Sequence, residues 1–351
     1  MKKLMALVLA LAMALSLVAC GSSTDDDKGG NTSQPVETNA NAEPTADAAT
    51  PANADETYTI GICQLVQHDA LDAATKGFKD ALTEKLGDRV TFDEQNAAND
   101  SPTCATICNQ FVSNNYDLIL GNATAALQAA VSATDSIPIL GTSVTDYGTA
   151  LDIDNWTGAS GINVSGTSDL APLDQQAEMI QTLFPDAKNV GILYCSGEPN
   201  SKYQATVITG YLEDMGYTIK EYAFADSNDV SAVTQSACSE SDVIYIPTDN
   251  TAASCTEAIN NVATPAGVPI VAGEEGICTG CGVATLSIDY YELGQVTGEM
   301  AYEILVEGAD VSTMDVRFAP NVTYKYVPDR CESLGVTVPD DYVAIETDAE
   351  A

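Results

Sequence analysis

The chain has 351 residues, 45% of them hydrophobic, and a formal net charge of −38. Such acidity excludes an ordinary nucleic-acid binder, because phosphate contacts need basic surface. Only three arginines occur, Arg89, Arg317 and Arg330, so an arginine clamp for an anionic ligand is not expected.

Residues 1–20 read as a targeting segment. Lys2 and Lys3 precede a short apolar run over 4–17, too short to span a bilayer, and LVAC places Cys20 behind small residues. LVAC resembles a bacterial lipobox, in which the cysteine is lipidated and becomes the first mature residue. An ordinary signal peptide with a chance cysteine is the alternative. Residues 21–56 are rich in Ser, Thr, Asn, Ala, Pro and acids. A segment so poor in large apolar residues cannot offset its chain entropy and reads as a disordered acidic tether.

Residues 58–346 carry the folded part, long enough for two lobes. Strands are predicted over 58–65, 90–92, 117–121 and 137–140. A helix over 70–86 carries Leu71, Ala74, Phe78 and Leu82 at helical spacing. Ser101-Pro102 reads as an N-cap with a first-turn proline, opening a helix to about 114. A third helix follows over 124–134. Strands alternating with helices imply a parallel sheet with helical cover.

The pattern then recurs. NVGILY (189–194) mirrors TIGICQ (59–64), DVIYI (242–246) mirrors DLILG (117–121), and VPIV (268–271) mirrors IPIL (137–140). A strand over 217–222 and helices over 203–215 and 228–238 keep the same order. A strand over 285–288, a helix over 291–306 and strand-like runs over 316–319 and 323–327 complete the chain. This predicts an α/β protein of two similar lobes, each a parallel sheet flanked by helices, joined by a hinge with the cleft between them. The second lobe is expected to start near Ser165.

Nine cysteines follow Cys20. Cys104 and Cys108 are four apart on a predicted helix, where a disulfide would be strained. Cys278-Thr-Gly-Cys281 is a CxxC that would close a loop disulfide or bind metal. With one histidine and no second CxxC, scattered buried thiols are the favoured reading, and no metal site is expected.

The duplication shows where a ligand would sit, since open α/β sheets bind beyond the carboxyl ends of their strands. Those ends carry Gln64 to Asp69, Asn122 to Thr124 and Gly141 to Asp146 in one lobe. The other lobe carries SGEPNS (196–201), Pro247 to Thr251 and GEEG (273–276), with Asp289 and Tyr290 at the hinge. Each Thr, Asn or Asp before a helix is singly an ordinary cap. As a set they make a polar surface. The helix starts at Thr124-Ala125 and Asn200-Ser201 suit a carboxylate, and Asp249, Glu274 and Asp289 suit an ammonium. That set fits a zwitterion, an amino acid. His68 and Tyr290 are the aromatic candidates for stacking, while Trp156 reads as packing. No GxSxG, HExxH or P-loop occurs. Glu274 and Glu275 form the remaining candidate acid–base pair, and adjacent residues usually point apart.

Taken together, IGICQLVQHDALDAATKGFKDAL, NATAALQAA, SGEPNSKYQ, YIPTDNTAAS, VAGEEG and SIDYYELGQVTGEMA resemble the substrate-binding lipoproteins of the tryptophan/tyrosine ABC transporter family, over about residues 58–310. The resemblance implies a type-I periplasmic-binding-protein fold that captures an aromatic amino acid for a membrane permease and its ATPase. It implies that the helix near Tyr291 returns to the first lobe and the tail to the second. The lobes are then 57–164 with about 290–312, and 165–289 with about 313–346, before an acidic tail at 347–351. It implies ligand contacts at Gln64, Thr124, Asn200, Ser201, Asp249, Asn250, Glu274 and Asp289. Asp69 and Tyr147 stand where the family commonly has proline, and CTGC at 278–281 is a further departure. The expected protein is a monomer without cofactor, lipid-anchored on the extracytoplasmic face. A ligand sensor of the same fold, another amino acid or nucleoside as ligand, and an enzyme using the glutamate pair remain alternatives.

Overall fold

The computed structural model describes residues 56–346. The expected leader, Cys20, nearly all of the tether and the acidic tail lie outside the described residues. The first pass of the chain runs β1 (Tyr58–Gln64), α1 (Asp69–Leu86), β2 (Val90–Asn96), α2 (Ser101–Ser113), β3 (Leu118–Asn122), α3 (Thr124–Ala133), β4 (Ile139–Val144), α4 (Tyr147–Leu151) and β5 (Val164–Ser168). The second runs α5 (Leu173–Leu183), β6 (Asn189–Cys195), α6 (Pro199–Asp214), β7 (Thr218–Phe224), α7 (Val230–Glu240), β8 (Val243–Ile246), α8 (Asn250–Ala253), α9 (Thr256–Ala266), β9 (Ile270–Ala272), α10 (Glu275–Cys281) and β10 (Ala284–Ile288). Last come α11 (Tyr290–Leu305), β11 (Arg317–Phe318), β12 (Val322–Tyr326), α12 (Pro328–Leu334) and β13 (Val343–Ala344).

The two sheets have the same strand order, β2-β1-β3-β4-β5 and β7-β6-β8-β9-β10. Those strands are all parallel, so the internal repeat is a repeat of topology. Central strands are buried on both faces, as β3, β4 and β8 show, which is why they read as apolar runs. β12 adds to the second sheet antiparallel to β10, and β13 lies parallel beside β12.

The lobe boundaries differ from those read in the sequence. The strand at 164–168 pairs with β4 in the first sheet, so the expected second-lobe start at 165 falls inside a first-lobe strand. Its sequence, VSGTS, is buried but lacks large apolar side chains apart from Val164, so it carries no strand signal by composition. β11 also pairs in the first sheet, beside β5, and only β12 and β13 of the tail join the second. The chain therefore passes between sheets three times, at 169–172, at Asp289 and at 319–321.

α11 does return to the first lobe. Met300 and Ala301 share a core with Ile60, Phe78 and Leu82. Its backbone touches α1. A Cβ at Gly294 would lie 2.0 Å from the Ala74 carbonyl oxygen, and one at Gly77 would lie 2.1 Å from that of Tyr291.

Local details depart from the sequence reading in small ways. Asp100, not Ser101, caps α2, accepting from Thr103 N at 2.9 Å. All nine cysteines from Cys63 onward are free thiols, buried except for half-buried Cys255. Cys278 and Cys281 sit unpaired on α10. Trp156 stacks on Tyr147 in the first lobe. Arg330 donates to four carbonyl oxygens at the end of α10, and Arg317 makes a bidentate pair with Glu303. No described helix is long and apolar enough to cross a membrane.

Candidate functional site

In each sheet the strand order reverses between the first strand and its third-strand neighbour. Ligands of open α/β sheets sit outside that switch point. Here the switch points are the ends of β1 and β3 in one lobe and of β6 and β8 in the other. The loops that follow them face each other, and side chains bridge the gap. His68 Nε2 donates to Asn250 Oδ1 at 3.2 Å, and Asn99 Nδ2 donates to Thr251 Oγ1 at 3.0 Å. A third bridge runs from Gln204 Nε2 to Thr145 Oγ1 at 3.4 Å. The lobes are thus in contact across the cleft.

Leu65, Asn99, Ala125, Cys195, Glu198 and Asn200 are among the residues lining a cavity between them, of ≈ 160 Å³. α3 opens onto this region. Its N-cap is Ala123, at φ 87°, and no side chain caps the helix. The first N–H groups of α3, at Thr124 and Ala125, therefore stay open to a ligand oxygen. α6 begins opposite with Pro199, Asn200 and Ser201, also without a side-chain cap.

Several candidate residues serve their own lobe. Gln64 donates to Val66 O and to Asp72 Oδ1 at 2.6 Å, and accepts from Thr75 Oγ1 at 2.7 Å. Its amide therefore braces α1 and is not free, and His68 is the residue of that loop that reaches the other lobe. Asp249 caps α8 through Ala252 N and also accepts from Cys195 N. Glu274 caps α10, accepting from Gly276 N and Ile277 N. Asp289 caps α11 and is exposed. The cap reading thus describes all three acids. Glu274, Asp289 and Tyr290 line a second, hinge-side cavity with Asp69 and Glu275. Glu275 pairs with Lys325 at 2.5 Å and points away from Glu274's cap.

Two residues absent from the sequence reading organise the site. Glu198 Oε1 and Oε2 accept from the backbone and side chains of Asn250 and Thr251, and from Asn200 Nδ2. One carboxylate therefore aims two of the three second-lobe residues that bridge the cleft, Asn250 and Thr251. Its SGEPNS motif was visible, but its acceptor role depends on donors more than 50 residues away. Asp169 is buried at the end of β5, accepting from Thr145 Oγ1 at 3.0 Å and Tyr290 OH at 3.1 Å. Nothing marked it, because the strand before it carried no signal.

Burial raises three of the carboxyls here, those of Asp249, Glu274 and Asp169. Asp249 is pushed up to about 8, by burial first and then by Glu198. Burial lifts Glu274 to about 7 and Asp169 to about 6. His68 is lowered from its usual value, because burial disfavours its charged form.

Two sheets of one topology, three crossovers and a polar cleft at both switch points define a type-I periplasmic binding protein, a class built to close on a small solute. The chain belongs to the ABC transporter substrate binding protein family, whose model matches residues 59–349. It is 38% identical to the tyrosine-binding protein of Clostridioides difficile over 318 residues, 90% of this chain and 87% of that one. It also resembles the ABC domain in complex with L-Trp from Streptococcus pneumonia, at 33% identity and TM-score 0.78, over 81% of this chain and 97% of that one. Against the ligand-free, open structure of CD0873 from Clostridium difficile the TM-score is 0.65 at 36% identity, over 83% and 100% of the two chains.

Proposed function

We propose that this chain captures an aromatic amino acid, tyrosine or tryptophan, between its lobes and delivers it to an ABC permease and its ATPase. The observation that carries this reading is the uncapped start of α3 at Thr124 and Ala125, facing α6 and α8 across a bridged cleft. Open N–H groups receive the carboxylate without an arginine. Leu65, Ala125, Cys195 and Pro199 give the cavity an apolar wall suited to a ring. His68 and Asn250 close over the bound solute, with Asn200 and Ser201 on the facing helix start. The ligands named for the pneumococcal and clostridial relatives support an aromatic side chain. The acids at Asp249, Glu274 and Asp289 shape the surrounding loops as caps. No chemistry is performed on the solute.

The chain acts as a monomeric lipoprotein tethered through Cys20 on the extracytoplasmic face, with lobes 1 and 2 carried clear of the membrane by the segment before Tyr58. Calorimetry after unfolding and refolding, to strip any bound solute, tests the reading. Heat with tyrosine or tryptophan and little with leucine is expected. Silence with tyrosine, tryptophan and phenylalanine alike would refute it.

A further inference from the structure

Asp169 is a buried carboxylate at the carboxyl end of β5 that no cation and no backbone group of another described residue satisfies. It is 3% exposed, and its hydrogen bonds come from two hydroxyls, Thr145 Oγ1 and Tyr290 OH. An ionised carboxylate has about four acceptor sites, so about half of its capacity is left over. No lysine or arginine among the described residues pairs with it. Glu198, Asp249 and Glu274 are different, since backbone N–H groups of other residues take up their oxygens. A buried carboxylate without a cation is costly and is normally answered by one.

Its position is as telling as its isolation. Asp169 N donates to Val144 O, and Val144 pairs with Ser168 across β4 and β5. One strand further on, Ala123 N donates to Thr142 O, which puts the open start of α3 beside β4. Between these two points lies Ser143, at φ 55° in the irregular part of β4, with its hydroxyl buried and unpartnered. From the second lobe, Gln204 reaches Thr145, the same residue that donates to Asp169. The carboxyl ends of β3, β4 and β5 thus carry, in order, open N–H groups, an orphaned hydroxyl and a buried acid. That sequence of charge and polarity matches a carboxylate and an ammonium a few ångströms apart.

We infer that Asp169 is the counter-ion of the ligand's α-ammonium, held against Thr145 and Tyr290, and that the site therefore demands a free amino group. This rests on the amino-acid reading above. The ammonium would fill the acceptor sites that the two hydroxyls leave, while Ser143 serves the carboxylate side. Asp169 is then a residue of specificity: it separates amino acids from acids of the same ring and chain length.

Calorimetry with matched ligands tests this: L-tyrosine against 3-(4-hydroxyphenyl)propionate, and L-tryptophan against 3-(indol-3-yl)propionate. The wild-type protein is expected to prefer the amino acids by about 100-fold or more, since a site built around a polar group rejects analogues lacking it. Asp169→Asn is expected to weaken the amino acids by about 100-fold and to leave the des-amino acids within about threefold, erasing the preference. Should Asp169→Asn fail to fold by circular dichroism, Asp169→Glu keeps the charge but displaces it, and the amino acids alone are expected to weaken. Wild-type binding of both ligand types with equal affinity overturns the inference. So does full preference in a folded Asp169 variant. Wild-type silence to every aromatic amino acid would instead fell the function proposed above, so the two failures are distinct.

Discussion

At the scale of single residues, the cleft is a collection of buried acids whose partners decide their roles. Asp249, Glu274 and Asp289 all precede helices, and a sequence shows that much. It does not show whether a carboxylate turns onto its own helix or into the cleft, because that depends on which donors the fold supplies. The structure turns these three onto their helices and leaves Asp169 facing two hydroxyls and no cation. The raised carboxyls also set a pH dependence. Asp249, at about 8 in the fold, binds its proton more tightly there than in the unfolded chain, as do Glu274 and Asp169. The stability they contribute is complete below the ordinary carboxylate range and is lost as pH rises through about 6 to about 8. Thermal melts of ligand-free protein should therefore fall between pH 5 and pH 9. Asp249→Asn, which places an amide N–H₂ among N–H donors, should melt lower overall and show a flatter dependence. A wild-type melting point that climbs steadily over that range would contradict the account.

At the scale of elements, the duplication was legible because its strands are buried on both faces and keep a glycine and apolar run in register. TIGICQ and NVGILY became β1 and β6, flanked in space by the same neighbours. β5 escaped notice because Ser165, Gly166, Thr167 and Ser168 are small, and nothing in such a string distinguishes a buried strand from a loop. Gly166, at φ 146°, could not carry a side chain: a Cβ would lie 2.1 Å from Gly141 O and 2.3 Å from the Tyr147 hydroxyl. β11 is two residues long and escaped assignment to the first sheet for want of any pattern. The contact of α1 with α11 makes a sharper test of packing. Gly294→Val would drive a side chain into the Ala74 carbonyl and should cost about 1–3 kcal/mol or more, roughly 2–4 °C of melting temperature per kcal/mol. Gly210→Ala in α6, where the added carbon meets nothing within 4 Å, should instead stabilise by about 0.5–1 kcal/mol. Differential scanning calorimetry of the pair reads both signs, and equal effects would contradict the packing described.

At the scale of the whole molecule, three crossovers let the lobes move about a hinge, and a few side-chain bridges hold them together. Such bridges are individually modest, so they bias closure without locking it. A ligand shifts that balance only through contacts made in the closed form and absent from the open one. The α3 start, Ser143 and Asp169 lie on the first lobe, while Asn200, Ser201 and the Glu198-held pair Asn250 and Thr251 lie on the second. A solute touching both sets has the differential contacts that closure requires. The measurement that bears most directly on this is a crystal structure of the stripped protein grown with L-tyrosine or L-tryptophan. The account predicts one amino acid between closed lobes, its carboxylate on the Thr124 and Ala125 N–H groups and its ammonium on Asp169. An amino acid bound outside the cleft, or inside it with its carboxylate turned away from α3, would contradict it.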